Sequence, residues 1–229
     1  FLKRLTKVIF QNKDDLNLFV KKRIVNRKKS ILIRGNGISI EKFKRTSYPS
    51  KLVFLFASRL LVDKGINEFI EVASKFSSSE VVFRVAGNID PYNPNSLNKE
   101  QLITLKKNHF VDYVGEIEYE DMPSLFSSSH IFVLPSYREG LPQVALEAAA
   151  SSMPLIITDT VGCRDCLEDK KSGFLIPIKD TVSLEEKIDF FIKNPEKVKT
   201  MGDHSKKFVE NNFSEEIIFN QFLSLLKGT

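Results

Sequence analysis

Two glutamates, Glu139 and Glu147, stand with seven residues between them in the stretch SYREGLPQVALEAAASSMPLIIT, residues 136–158. The first lies in a loop with Gly140 and Pro142, the second inside an alanine-rich run of helical character. A carboxylate reaching forward from such a helix can accept two hydrogen bonds from a vicinal diol, each worth about 1.5–3 kcal/mol when charge-assisted. The competing reading is two ordinary surface carboxylates beside a helix start. With 29 acidic residues in 229, spacing alone does not choose between them. Pro142 fits the first helical position, where its missing N–H costs nothing. The free amides of that first turn, together with the helix dipole, make an anion site. Pro142 cannot donate, so the donors expected there are Gly140, Leu141, Gln143 and Val144. A separate loop, ASRLLVDKG, carries Arg59 and Lys64 five apart. Two cations before a helix suit a pair of phosphates, although exposed charges on a surface loop would look the same.

Other clusters invite chemistry and are read otherwise. Glu116, Glu118, Glu120 and Asp121 in YVGEIEYEDMPSLF could suggest a metal. Acidic residues entering a helix complement its dipole, however, and no Asp-x-Asp occurs in the chain, so no metal site is expected. Cys163 and Cys166 form a Cys-x-x-Cys pair, but His109, His130 and His204 are scattered. A zinc site needs two further ligands nearby, so two reduced thiols near a helix start are expected. The segment KKRIVNRKK, Lys21 to Lys29, holds six basic residues in nine. It is either a solvated loop or a contact for anionic lipid headgroups or nucleic acid. It has no interleaved aromatics to stack on bases, which counts against single-stranded nucleic acid.

These residues need elements to hold them. KLVFLFAS, EVVFRVAG, DYVG, HIFVLPS, MPLIIT and GFLIP read as strands, most of them continuously apolar, as in parallel sheets covered on both faces. Helix candidates alternate with them: Asn67–Phe76, Leu97–Lys107, Met122–Ser127, Pro142–Ser151 and Arg164–Leu167. After Pro177 the chain becomes helical: Ser183–Ile192 with Ser183 as its cap, Glu196–Asn211 and Ser214–Leu226. The fold class is therefore α/β, a Rossmann-like doubly wound parallel sheet with C-terminal helices. Upstream, KVIFQN and SILIRGNG read as strands flanking a helix over Asp14–Val20. One such unit cannot bury a core alone, so residues 1–35 are expected to be the tail of a larger domain. Residues 36–50 are expected as a linker, 51–212 as the main domain and 213–229 as a terminal helix. A start at Phe1 rather than Met agrees with a fragment or a processed product.

The motifs together resemble the large group-1 (family 4) retaining glycosyltransferases, whose two Rossmann-like domains face each other across a cleft. ASRLLVDKG, VDYVGEIEYEDMPSLFSSSHIFVLPS, the stretch from Ser136 to Pro177 and FSEEIIFNQFLSLL match that pattern in order, so the resemblance covers Ile31 to the C-terminus, the donor half of a GT-B fold. It implies that Arg59 and Lys64 neutralise the donor diphosphate and that Glu139 lies near the hydroxyls of the transferred sugar. It further implies that Glu147 holds the nucleotide ribose and that Ile117 lies beside the nucleobase. The departing nucleoside diphosphate would be stabilised by Arg59, Lys64 and backbone N–H groups in place of a metal, with no cofactor beyond the nucleotide-diphosphate sugar, a UDP-sugar, as co-substrate. Two departures stand out: Leu141-Pro142 replaces a common Phe-Gly, and AGNID replaces a Gly-x-Gly loop.

The resemblance thus implies the donor-binding half of a transferase that builds bacterial surface polysaccharide on a saccharide or lipid-linked acceptor. It is expected in the cytoplasm, with a peripheral contact to the inner membrane face through Lys21–Lys29 and no nucleic-acid partner. Without an acceptor domain it should bind donor better than it turns it over. Two alternatives stand beside this: a nucleotide-sugar epimerase of the same shape, and a non-catalytic nucleotide- or membrane-binding module. A hydrophobic fraction of 42% excludes disorder.

Overall fold

The computed structural model describes residues 5–76 and 81–227. A short parallel pair comes first: β1 (Val8–Phe10), helix α1 (Lys13–Lys21) and β2 (Ser30–Leu32), with Val8 opposite Ser30. It has its own small core of Phe10, Leu16 and Val25, with Phe10 and Phe19 edge to face at 5.4 Å.

The main sheet has six parallel strands: β3 (Leu52–Ala57), β4 (Val81–Ala86), β5 (Asp112–Gly115), β6 (Ile131–Leu134), β7 (Leu155–Thr158) and β8 (Gly173–Ile176). Between them run α2 (Ile66–Ala73), α3 (Lys99–Lys106), α4 (Met122–Ser127) and α5 (Gln143–Ala150). A 3₁₀ turn, Cys163–Cys166, links β7 to β8, and α6 (Thr181–Lys193), α7 (Glu196–Phe213) and α8 (Glu215–Lys227) come after it. The central strands β6 and β7 are buried at every residue, as their unbroken apolar runs require; β5, at the edge, alternates exposed and half-buried positions. Phenylalanines fill the space under α2: Phe54 stacks on Phe83 at 5.4 Å, and Phe69 meets Phe83 edge-on at 5.8 Å. Ala145, Ala148, Ala149 and Ala150 on α5 are fully buried, and their small side chains bring that helix close to the sheet.

The strand order is β5-β4-β3-β6-β7-β8. The chain winds outward from β3 to β5, then crosses back to β6 and winds the other way. In such sheets the crevice beyond the carboxyl ends of the two strands at the reversal is the ligand position. Here those strands are β3 and β6, and the loops leaving them carry Arg59, Lys64, Glu139 and Gly140.

Three local expectations are corrected. Pro142 is not the first helical residue but the N-cap, with an extended ψ of 100°; its carbonyl accepts from Ala145 N–H at 3.1 Å. Asp180, not Ser183, caps α6: its carboxylate accepts from Ser183 N–H at 2.9 Å, because the helix already begins at Thr181 and Ser183 lies inside its first turn. Arg164–Leu167 does not form an α-helix; Cys163–Cys166 is a single 3₁₀ turn. Residues 36–50, expected as a linker, pack in part against the main domain. Ile38 and Phe43 lie in the main core at 3% and 1% exposure, and Arg45 donates to the carbonyls of Ser127, Ser129 and Ser151.

Candidate active site

The loop after β3 turns through a 3₁₀ segment, Val62–Lys64, and enters α2 at Gly65, whose φ is +80°. A Cβ there would lie 2.6 Å from the ring of Pro135, so this loop and the one after β6 can touch only because residue 65 is glycine. The two loops are tied together. Ser136 Oγ donates to Asp63 O at 3.1 Å, and Tyr137 N–H donates to the same carbonyl at 2.8 Å. Tyr137 Oη also donates to Glu68 of α2 at 2.5 Å. This places Lys64 Nζ 2.6 and 2.7 Å from the two oxygens of Glu139. Both side chains are largely buried, at 18% and 10% exposure. An ion pair this enclosed fixes the geometry of both groups in a way an exposed pair does not.

Glu139 is held from the other side as well. Its N–H donates to Val161 O at 3.4 Å, and Gly162 packs its α-carbon against the carbonyls of Glu139 and Gly140. Beyond it, the N–H groups of Gly140, Leu141, Gln143 and Val144 have no acceptor among the described residues. The first two precede the N-cap and the last two open α5, so a set of free donors stands beside the Lys64–Glu139 pair.

Arg59 takes a different wall. Its guanidinium is 60% exposed and bonds Asp90 at 2.8 Å, in the loop that leaves β4. It lines a cleft of about 380 Å³ together with Gly87, Asn88, Ile117, Met122 and Val144. Leu141 and Gln143 line a smaller neighbouring hollow of about 130 Å³. Glu147 is on neither wall. It is 5% exposed on α5, so it is not a solvated surface carboxylate. Burial raises the pKa of its carboxyl above the usual range, opposed by a hydrogen bond from Gln143 and by the charge of Lys42. Lys42 itself sits 3.5 Å over the ring of Tyr119.

The structure therefore brings Lys64 and Glu139 together, with the four acceptor-free amides in the residues that follow Glu139, and places Arg59, Ile117 and Val144 on one cleft. Among the described residues no group of three or more His, Cys, Asp or Glu is arranged to hold a metal. Glu116 instead accepts from Asn88 Nδ2 at 3.1 Å. Cys163 and Cys166 are buried free thiols; burial pushes Cys163 up to about 12 and raises Cys166 well above the usual thiol range, so neither is a nucleophile. Sequence reasoning missed Asp90 as the partner of Arg59, Lys42 and Tyr119 near Glu147, and Asn12. The first three carry no motif. Asn12 carries only the residue type of a helix cap, which it is for α1.

Residues 38–208 match the family described as glycosyl transferases group 1. The chain is 30% identical to the capsular polysaccharide biosynthesis glycosyltransferase CapM of Staphylococcus aureus, over 83% of this chain and 52% of that protein. It is 27% identical to a Campylobacter jejuni N,N'-diacetylbacillosaminyl-diphospho-undecaprenol alpha-1,3-N-acetylgalactosaminyltransferase, over 95% of this chain and 59% of that one. The chain thus spans little more than half the length of these relatives. Among solved structures, the sucrose-phosphate synthase of Thermosynechococcus elongatus superposes with a TM-score of 0.87 at 21% identity, over 99% of this chain and 59% of that one. The Anabaena protein Alr3699/HepE, solved in complex with UDP, gives 0.86 at 19% identity, over 98% and 64%. At such identities the likeness establishes the fold, that of GT-B glycosyltransferases.

Proposed function

The chain belongs to the group-1 glycosyl transferases, and on that premise we propose that it is the donor-binding half of a retaining transferase. The reaction moves a hexosyl or N-acetylhexosaminyl unit from a UDP-sugar to a saccharide or lipid-linked acceptor in surface-polysaccharide synthesis. The observation that carries this reading is the coincidence of the Lys64–Glu139 pair with four acceptor-free N–H groups at the β3/β6 reversal. As the sugar–phosphate bond breaks, negative charge grows on the departing diphosphate. Lys64, Arg59 and the amides of Gly140, Leu141, Gln143 and Val144 meet that charge, and no metal enters the scheme. Glu139, locked by Lys64, presents its carboxylate to the hydroxyls of the transferred sugar. Glu147 accepts from the ribose, and Ile117 covers the base in the cleft of about 380 Å³. Both cations are held by carboxylates in the free protein, Arg59 by Asp90 and Lys64 by Glu139, so donor binding exchanges or shares these partners.

Calorimetric titration with UDP, UDP-sugars and GDP-sugars tests the reading. Binding is expected for the uridine series, and Glu147→Ala and Arg59→Ala should each weaken it by about tenfold or more. No binding of any nucleotide, or unchanged affinity in both variants, would remove its basis.

One observation favours a second role alongside the first. Lys21, Lys22, Arg23, Arg27 and Lys28 are all exposed around a hollow of about 500 Å³ that Ile24 also lines. Such a patch suits anionic headgroups, whereas no helix among the described residues is long and apolar enough to cross a membrane. Co-sedimentation with phosphatidylglycerol vesicles should be lost when Lys21, Lys22, Lys28 and Arg27 are neutralised, with UDP binding retained; binding to neutral vesicles alone would argue against it.

A further inference from the structure

The donor loop is held from outside its own domain. Asn12, at the end of β1, is 1% exposed, and its amide is almost fully used. Its Oδ1 accepts from Asp15 N–H at 2.7 Å and so caps α1. Its Nδ2 donates to Asp15 Oδ2 at 2.9 Å and, across 128 residues of sequence, to the carbonyl of Gly140 at 2.9 Å. That carbonyl is confined on another side by Gly162, where even a methyl group would overlap it. A second tie joins the same two parts: Arg164 bridges Asp14 of α1 at 3.2 Å and Asp159 at 2.8 Å.

A trans peptide is planar, with its C=O and N–H pointing in opposite directions. Fixing the Gly140 carbonyl toward α1 therefore fixes the Leu141 N–H away from α1. That N–H is one of the four donors with no acceptor among the described residues. We propose that Asn12 is a positioning residue for donor binding: from the β1–α1–β2 unit it sets the orientation of the Gly140–Leu141 peptide, and so the aim of the Leu141 N–H at the donor diphosphate. The amide does two separable jobs. The oxygen caps a helix, which serine does equally well. Only the Nδ2 hydrogens reach Gly140, which serine cannot do. The unit that carries Asn12 thus contributes to a site whose other members all belong to the larger domain. Any displacement of that unit changes donor affinity through this one bond.

The inference rests on the donor-site reading above, and its test separates the two. Wild type, Asn12→Ser and Asn12→Ala are titrated with UDP and compared in thermal unfolding, with Arg164→Ala as a control that breaks the neighbouring tie. Asn12→Ser is expected to melt within a few degrees of wild type yet bind UDP about tenfold more weakly, the value of one lost charge-assisted bond. Its Leu141 amide resonance should shift in the ligand-free protein. Arg164→Ala should bind UDP as wild type does. If wild type binds no UDP, the donor-site reading fails. If wild type binds and Asn12→Ser binds equally well with an unmoved Leu141 resonance, the positioning role is overturned while the donor site stands. Equal weakening in Arg164→Ala would also overturn it, since general docking of α1 would then suffice.

Discussion

Glu147 shows how one buried carboxylate ties ligand binding to pH. Its pKa lies above that of an ordinary glutamate because burial penalises the charge more than Gln143 and Lys42 offset it. In the proposed function a ribose hydroxyl donates to the ionised form, so protonation would remove an acceptor. As pH falls, Glu147 takes up its proton earlier than an exposed glutamate would, near 4.3, and affinity for the donor falls with it. The stability linkage has the opposite sense. Above its raised folded-state pKa the fold bears the full cost of an ionised buried group; that cost lessens as pH falls through this value and is gone below the unfolded pKa. Titrations with a UDP-sugar, whose diphosphate is a diester that does not itself ionise in this range, should show affinity declining from above the normal carboxylate range. Glu147→Gln should bind weakly at every pH and show no such decline. A wild-type profile flat down to about pH 4.5, close to the ordinary glutamate value, would contradict the account.

At the scale of elements, the site is a meeting of three loops, and glycine decides whether they can meet. Gly162 has φ +81°, and a Cβ on it would sit 2.6 Å from Glu139 O and closer still to Gly140 O. Gly162→Ala therefore has to push the Glu139 loop away or strain its own backbone. A loss of about 1–3 kcal/mol in stability is expected, together with weaker UDP binding. Urea midpoints and calorimetry measure both, and unchanged values in both would refute the account of the loop. The strands and helices around these loops were legible in the sequence because their signals are local. Unbroken apolar runs such as Leu52–Ala57 report burial on both faces, and the alanines of α5 report close packing. The amides of residues 140, 141, 143 and 144 were legible for the same reason, through Pro142. Pairing between distant loops was not legible. Arg59 with Asp90, Lys64 with Glu139 and Asn12 with Gly140 each span 31 or more residues, and no periodicity records them. The helix caps misread by a few positions belong to the same class, since Asp180 and Ser183 are both good caps and only the local backbone chooses.

For the molecule as a whole, the stretch from Ile38 to Pro49 clamps the base of the sheet rather than swinging free of it. Arg45 reaches the carbonyl ends of α4 and α5 through Ser127, Ser129 and Ser151, and stacks on Tyr48 at 4.2 Å. Tyr48 in turn packs on His130, with ring centroids 5.5 Å apart. His130 is buried, and its Nδ1 accepts from Val53 N–H at 3.1 Å, which requires the neutral ring. Burial first, and the charge of Arg45 second, lower its pKa to about 4. The unfolded chain takes up a proton at this residue below about 6.5, whereas the fold resists until about 4. Stability is therefore present in full above about 6.5, declines as pH falls through that window and levels off below about 4. The loss attributable to this one ring is about 2–3 kcal/mol. Asn at position 130 can still accept from Val53 but cannot titrate. Urea unfolding at about pH 7.5 and about pH 4.5 should show wild type losing about 2–3 kcal/mol more than His130→Asn between the two conditions. Equal losses would mean that the clamp beneath the sheet does not set the acid sensitivity of this fold, and that carboxylates elsewhere do.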